Sequence, residues 1–279
     1  MILRKDPMKR WRLIIMPIIV VAIGLWVARP GKPPEVLRPG HTEESPVIDA
    51  PAAETLDEIL RRDPYSFFPM SLKKYDDTIH GYAHSFDKHE RINGVLRKPE
   101  KCEVRFREKP FAVHMSWTEG AGLASKVLFV EGENNGKMLA RGWGPLKFLG
   151  IQTRDVDGAD AKASGRFTIA QFGFKKSTER TLASMKRAKD NGKLFLKYEG
   201  IVPVEKLGGQ KCHKFVRSPY DPPEEDQLSE LTLYYDTEHW LQVGAILRDV
   251  KGQLLGEYFF SNVQINPEFS DKQFTRDAL

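Results

Sequence analysis

Three histidines and a glutamate near the start of an alternating segment are the residues best suited to bind a metal ion: His80, His84, His89 and Glu90. On a helix, His80 and His84 would share one face at a spacing that suits a single ion. On a strand they also share a face, but they lie about 13 Å apart, which is too far for one ion. Because apolar and polar residues alternate here, we predict a strand and no metal site.

Three other patterns resemble catalytic or cofactor sites but lack a required residue. The acidic stretch 155–160 lacks the central glycine of a calcium loop and has Arg166 where a bidentate glutamate is needed. The glycines of 120–122 lack the third glycine and the strand–helix context of a dinucleotide site. Glu131 and Glu133 form a carboxylate pair beside a turn, where such pairs are usually solvated. We therefore expect neither an enzyme nor a bound cofactor.

The basic charge of the chain is concentrated at its amino terminus. The net charge is +5, and the first 30 residues account for all of it, with Arg4, Lys5, Lys9, Arg10, Arg12 and Arg29 against Asp6. The rest of the chain is neutral. A neutral globular part lacks the positive surface that phosphate backbones require, so nucleic-acid binding is excluded.

The basic residues precede an uncharged apolar run, Leu13–Ala28. Basic residues on the leading side keep that side in the cytoplasm. The run is short for a membrane span, which needs roughly 17–25 residues, but Trp11 and Trp26 lie where interfacial aromatics anchor a helix. We predict that residues 1–29 are a cytoplasmic stub and an uncleaved anchor in the inner membrane. A cleaved secretory signal and a buried core helix are the alternatives.

Residues 30–52 are rich in proline and poor in apolar side chains. Such a stretch behaves as a semi-rigid spacer and, at about 3.1 Å per residue, reaches roughly 70 Å. The sequence therefore predicts a single extracytoplasmic domain, residues 53–279, held in the periplasm by a membrane tether. Cleavage of the amino terminus would make it a secreted domain instead.

The two cysteines, Cys102 and Cys212, occur in separate predicted strands. An exported protein with an even number of cysteines is compatible with a disulfide. Strands far apart in a sequential sheet need not be neighbours, however. Two free thiols are the favoured interpretation, and a bridge is the alternative.

The globular part alternates mostly with the period of a strand. Two short helices, 53–62 and 66–75, open it, and a basic, weakly amphipathic helix follows at 177–190. The turns Asn93-Gly94 and Gly208-Gly209 favour hairpins. Residues 231–266 form three strand-like runs that predict a meander at a sheet edge. These patterns predict about nine or ten antiparallel strands, which must curl to protect their inner face.

Several motifs resemble those of known families. The motifs 89–94, 107–113, 128–132 and 135–137 resemble an exported bacterial family catalogued as a domain of unknown function (number 1571). The terminal pattern, from Tyr235-Asp236 through Gly252 and Tyr258 to Asn266 and Phe274, is similar to LolA-type lipoprotein carriers and envelope sigma-factor regulatory domains.

The resemblance spans roughly residues 55–277 and implies a mainly β, α+β fold: an incomplete antiparallel β-barrel, LolA-like, whose concave apolar face is covered by helices and accepts acyl chains. The carriers are soluble shuttles, whereas this chain has a predicted tether. The family implies no particular ligand, so no ligand-contacting residues carry over.

One set of apolar side chains alternates with polar ones and is predicted to line a groove for an acyl chain; otherwise these side chains are ordinary core. The set is Phe106, Phe111, Val113, Met115, Trp117, Phe129, Leu194, Leu196, Tyr198, Leu233, Tyr235, Leu247 and Phe260. We expect a membrane-tethered envelope protein that binds a lipid or a lipoprotein acyl group. The alternative is a protein-interaction or envelope-sensing module, which would contact another envelope protein through its sheet edge or its basic helix.

Overall fold

The computed structural model describes residues 54–279, so the predicted anchor and the whole predicted spacer lie outside the described residues. Four α-helices occur in this part: α1 (Leu56–Arg62), α2 (Phe67–Thr78), α3 (Ala159–Ser164) and α4 (Phe174–Asp190). Each of them is too short or too polar to cross a bilayer.

The described residues also form an antiparallel sheet with more strands than predicted. Its strands are β1 (Gly81–Ile92), β2 (Val95–Leu96), β3 (Glu100–Arg107), β4 (Ala112–Glu119), β5 (Ala124–Val130), β6 (Met138–Gly142), β7 (Ile151–Arg154), β8 (Leu196–Val204), β9 (Gln210–Arg217), β10 (Leu228–Asp236), β11 (Gln242–Asp249) and β12 (Leu254–Ile265). The two unpredicted strands are the very short β2 and β7.

The strand order is β7-β6-β5-β4-β3-β1-β12-β11-β10-β9-β8, with β2 on β1. The sheet is open, because its edges β7 and β8 pair with one neighbour each. The predicted large antiparallel sheet is confirmed, but the terminal meander is not at its edge. Instead, β12 pairs with β1 in the middle, with Phe260 opposite Phe86.

Local sequence explains where the central strands begin and end. The Asn266 side chain accepts from the amide of His80 at 2.7 Å and donates to the Thr78 carbonyl at 2.8 Å, which joins the start of β1 to the end of β12. At the β10–β11 turn, the Asp236 carboxylate accepts from the amides of His239 and Leu241, each at 2.6 Å. Both side chains replace backbone partners that the turn leaves unpaired.

All three predicted helices begin at a different residue; α2 does so by one position, at Phe67, and it continues to Thr78. Helix α1 begins after Thr55, whose hydroxyl caps the Glu58 amide. Helix α4 begins at Phe174, three residues before the predicted start, because Gly173 adopts a φ of 122° that ends the preceding segment. A side chain at Gly173 would also meet the Phe106 ring and the Tyr82 hydroxyl at 3.0 Å.

The opposite face of the sheet carries a smaller core. Ala112, Leu128, Val130 and Leu139 pack there against the carboxyl-terminal residues Phe274 and Leu279. The main core lies on the face that the helices cover.

Candidate site: a cavity on the helix-covered face

The register of the sheet places the predicted groove residues on one face. Cross-strand partners share a face, and the pairs run continuously: Phe106 with Val113, Val113 with Phe129, and Leu233 with Phe215. Phe111 and Leu194 precede their strands, and the other predicted residues point to this face from within strands. The predicted residues therefore share one face of the sheet, but that face is not a single groove.

One half of this face is filled by α1 and α2. The ring of Phe67 is fully buried and packs against Phe215 at 4.8 Å and Tyr235 at 5.0 Å between centroids. Leu233 is also buried there. The neighbouring predicted residues Leu194, Leu196, Tyr198 and Leu247 belong to the same core.

A second packed region lies below the start of α4. The Phe106 ring stacks on Tyr82 with centroids 4.4 Å apart, and Phe111 contacts both Phe106 and Phe129 edge-on. Val113 is fully buried beside them. The predicted residues of this region are core.

Between these regions the face is open and forms a cavity of about 810 Å³. Of the predicted residues, Met115, Trp117 and Phe260 line it; the other ten do not. Phe86 and Phe172 complete its aromatic side, and the Phe86 and Phe260 rings stack at 4.7 Å. Further lining comes from smaller side chains on β5 and β6 and from the loop after β4, namely Val127, Met138, Ala140, Gly120, Ala121 and Gly122.

A covering segment, residues 159–173, closes part of the cavity. It contains α3 and the turns that lead into α4, and polar contacts hold it to the sheet. Lys88 donates to the Ser164 carbonyl at 3.3 Å, and the Arg166 amide donates to Glu90 at 3.3 Å. Arg166 also pairs with Asp226 at 2.7 Å.

The cavity has a buried ionic end. The Lys88 ammonium lies 3.2 Å from Glu90 and 3.3 Å from Glu100. Burial alone would lower the pKa of Lys88, but the two carboxylates outweigh it, so the pKa is raised. The Tyr258 hydroxyl donates to Glu90 at 2.7 Å and the Trp117 indole donates to Glu100 at 2.6 Å. Each charge thus has a partner, as buried charges require.

A neutral histidine lies in the aromatic wall. His84 is buried, and burial lowers its pKa to about 3. Its Nδ1 lies 3.2 Å from the Ser85 carbonyl, so Nδ1 carries the proton and Nε2 is an acceptor. His84 packs among aromatic rings, including Phe172, Phe174 and Phe260.

The remaining chemical motifs are dispersed. His80 is exposed before β1, whereas His84 points into the core. Among residues 54–279, no three His, Cys, Asp or Glu side chains are grouped as metal ligands. Cys102 and Cys212 are free and buried on separate strands, so the disulfide alternative is wrong. Burial raises the pKa of each thiol to about 12.

Sequence reasoning missed most of the cavity wall. Phe167, Ile169 and Phe172 lie just before the predicted helix 177–190, in a stretch for which no element is predicted. The two-residue spacing of Phe167 and Ile169 was the available signal. Leu146 and Leu149 follow a glycine and a proline in a short run without strand or helix period, so no pattern pointed to them.

Comparisons place this architecture among known proteins. No curated protein sequence matches the chain. Among solved structures, it is similar to a chain of the Pseudomonas aeruginosa MucA/MucB complex (18% identity, TM-score 0.44), covering 76% of this chain and 60% of that one. The present chain thus spans about three-fifths of that relative.

Two smaller structures are also similar. One is the Mycobacterium tuberculosis lipoprotein LppX (12% identity, TM-score 0.41), with 75% of this chain and 100% of that chain covered. The other is a LolA superfamily protein from Nitrosomonas europaea (11% identity, TM-score 0.33), with 76% and 98% covered. A family model described as "Protein of unknown function (DUF1571)" matches residues 79–278, so the chain belongs to that family.

Proposed function

We propose that the domain binds an acyl chain of a lipid or lipoprotein, non-covalently, in the cavity between the sheet and the covering segment. The observation that carries the proposal is an apolar cavity of about 810 Å³ on the face that carries the apolar side chains predicted to line a groove. Its volume lies in the range of small-molecule sites, roughly 300–1,000 Å³.

The wall chemistry suits a hydrocarbon chain with a polar end. Aromatic and aliphatic side chains, including Phe86, Met115 and Phe260, line most of the cavity. Burial of each methylene contributes about 0.8 kcal/mol, so a long chain binds by the hydrophobic effect alone. The basic residues Arg97 and Lys98 also border the cavity and are exposed, where a polar head group would meet water.

The proposal includes the predicted setting of the domain. The apolar run at Leu13–Ala28 would anchor the chain in the inner membrane, and residues 30–52 would hold the domain in the periplasm. The open sheet would curl around the ligand as an incomplete barrel. Binding without catalysis is proposed, because the carboxylates Glu90 and Glu100 of the cavity are engaged with Lys88.

Two tryptophans allow a direct test with the full chain in mild detergent. Trp117 lines the cavity, whereas Trp240 packs against Phe67 in the filled half at 5.5 Å. Brominated stearic acid should quench tryptophan fluorescence saturably. In a chain with Trp11, Trp26 and Trp143 replaced by Phe, Trp117→Phe should remove most of the quenchable signal, and Trp240→Phe should preserve it. Equal loss in both variants, or no saturable quenching, would contradict the proposal.

A filling substitution tests the volume of the cavity. Ala140 lines it from β6, and Ala183 is an exposed alanine on α4 outside it. Ala140→Phe should weaken fatty-acid binding at least tenfold, while Ala183→Phe should leave it unchanged. Unchanged binding by Ala140→Phe, in a variant that melts like the wild type, would show that the ligand lies elsewhere.

The protein-interaction alternative receives no support from the basic helix. Lys175 pairs with Asp76 at 2.5 Å and Lys186 with Asp190 at 2.7 Å, so two of its charges are engaged within the domain. Arg180 donates to the Gln171 carbonyl at 2.6 Å. Reversing the charge of Lys186 and Arg187 should therefore leave both acyl binding and any captured protein partner unchanged.

A further inference from the structure

The exposed large apolar side chains collect at one end of the sheet. This end, the mouth end, is where β1, β4, β6 and β11 finish and where β3, β5, β8 and β12 begin, as their registers require. All of these side chains except Ile201 belong to loops and turns at the mouth end or to the adjoining covering segment. Scattered single exposures are normal, but a contiguous group marks an interaction surface.

Five of these side chains form what we call the rim, beside the cavity opening. They are Leu123 (60% exposed), Trp143 (55%), Leu146 (40%), Phe148 (89%) and Leu149 (61%). Leu123, Leu146 and Leu149 also line the cavity, so the rim and the cavity wall are continuous.

Backbone hydrogen bonds join the two loops that carry the rim. The amide of Trp143 donates to the Leu123 carbonyl at 3.0 Å, and the Leu146 amide donates to the Trp143 carbonyl at 3.1 Å, so the two loops are joined. The turn passes so close to Gly142 that a side chain there would lie 2.6 Å from the Leu146 backbone. These hydrogen bonds and this close approach fix the turn, which holds the apolar side chains outward.

Three basic side chains without an ion-pair partner in the described part of the chain lie beside the rim. From Asn134 to Arg154 the chain contains four basic residues and no acidic one, and Lys147 lies within the rim turn itself. Arg97 and Lys98 add two exposed positive charges at the cavity opening. The side chains of Arg97, Lys98 and Lys147 form no ion pair with any of the described residues.

We propose that the rim docks the mouth of the cavity onto the surface of a bilayer that contains anionic lipid. Tryptophan, phenylalanine and leucine insert at the interface between head groups and acyl chains, and nearby Lys and Arg are attracted to anionic head groups. A surface that binds another protein would not require both interfacial apolar side chains and basic residues beside a cavity opening. The predicted tether would confine the domain near such a surface.

Docking would also remove the main obstacle to ligand transfer. An acyl chain that leaves the cavity into water exposes its methylenes, which the hydrophobic effect disfavours. A mouth seated on the bilayer lets the chain pass over Leu146 and Leu149 without that exposure. The inference goes beyond acyl binding, and it stands on rim residues that include Trp143 and Phe148, which do not line the cavity.

The test uses single-site fluorescence on the full chain reconstituted into liposomes. Cys102 and Cys212 are 2% and 0% exposed, so an environment-sensitive thiol dye should label an introduced cysteine selectively. Phe148→Cys places the dye on the rim. Ile201→Cys is the matched control, because Ile201 is 50% exposed on β8, the sheet edge opposite β7.

In vesicles of phosphatidylcholine and phosphatidylglycerol, the dye at position 148 should shift to the blue, brighten several-fold and be quenched by doxyl-labelled lipid. The dye at position 201 should do none of these. Replacing phosphatidylglycerol with phosphatidylcholine should reduce the response at position 148. The same response at both positions, or none at position 148, would overturn membrane docking; a response independent of phosphatidylglycerol would overturn its charge dependence.

The result is separable from acyl binding. With the dye at position 148, Trp143→Ser should reduce the response to vesicles several-fold, but it should leave quenching of Trp117 by brominated stearic acid in detergent unchanged, because Trp143 does not line the cavity. If Trp117 is never quenched while the rim dye still enters the bilayer, the acyl proposal fails and the docking proposal holds.

Discussion

The two halves of the apolar sheet face are built from similar residues, but one half is filled and the other borders a cavity. On the side of β8–β10, the face is filled: Phe67 and Phe68 from α2 are both fully buried against Phe215 and Tyr235. On the side of β4–β6, the same alternation of apolar residues borders a cavity of about 810 Å³. The strands do not make the difference; the covering elements do.

The covering elements differ in what they insert. Helix α2 presents two phenylalanines next to each other, and they fill the space above β9 and β10. The covering segment over β4–β6 is held to the sheet near its middle, through Ser164 and Arg166, and has small residues such as Ala161, Ala163 and Gly165 along the cavity. On this side the cover is anchored by polar contacts and leaves open space above the strands, whereas α2 fills that space with its two rings.

Truncating a filled-half ring should have the largest effect. Phe67→Ala removes a fully buried ring and should lower the free energy of unfolding by about 3–5 kcal/mol. Phe260→Ala should cost only about 2 kcal/mol, since its ring already borders open space and leaves less new cavity. Urea unfolding of both variants measures the difference. Equal costs would mean that the halves are packed alike.

The next effect concerns the ionic end of the cavity. Lys88→Met leaves two buried carboxylates without their cation and should cost about 3 kcal/mol. It should also release the covering segment, seen as faster amide exchange around Ser164. The matched control adds Glu90→Gln and Glu100→Gln, which removes the repulsion and should recover most of the loss. No recovery would show that Lys88 acts through packing alone.

A pH-dependent loss of stability is expected from His84. Its pKa is about 3 in the folded chain against about 6.5 when unfolded, so the unfolded state binds the proton first as pH falls. His84 therefore contributes stability fully above the unfolded value and loses it on acidification towards the folded value, by about 2 kcal/mol near pH 5. His84→Gln should flatten the stability profile over this window relative to wild type. An unchanged slope would show that the imidazole titrates normally.

Local features of the fold were predictable from sequence because they depend on neighbouring residues. Asn93 and Gly94 both have positive φ and form the two-residue turn between β1 and β2. Gly208-Gly209 lies in the predicted connection of β8 and β9. Apolar alternation identified the inner face, because successive side chains in a strand point to opposite sides.

The strand order and the cavity were not predictable in the same way. Pairing of β1 with β12 brings together segments at opposite ends of the domain, and no local pattern records that choice. Whether Met115 borders a cavity and Leu233 lies in solid core depends on the paths of α2 and of the covering segment. Those paths are set by distant contacts such as the one between Lys88 and Ser164.

The smallest effect on stability should come from a substitution in the rim, which lies at the surface beside the open half of the sheet face. Phe148 is 89% exposed, so Phe148→Ser should change the free energy of unfolding by less than about 0.5 kcal/mol. If Phe148 stabilised the fold as Phe67 does, its substitution would lower the free energy of unfolding several times more. Urea unfolding of Phe148→Ser measures this value, with Ile201→Ser as the control at an exposed apolar site away from the mouth. A loss above about 1 kcal/mol would mean that Phe148 packs on the domain and is not free to meet a bilayer.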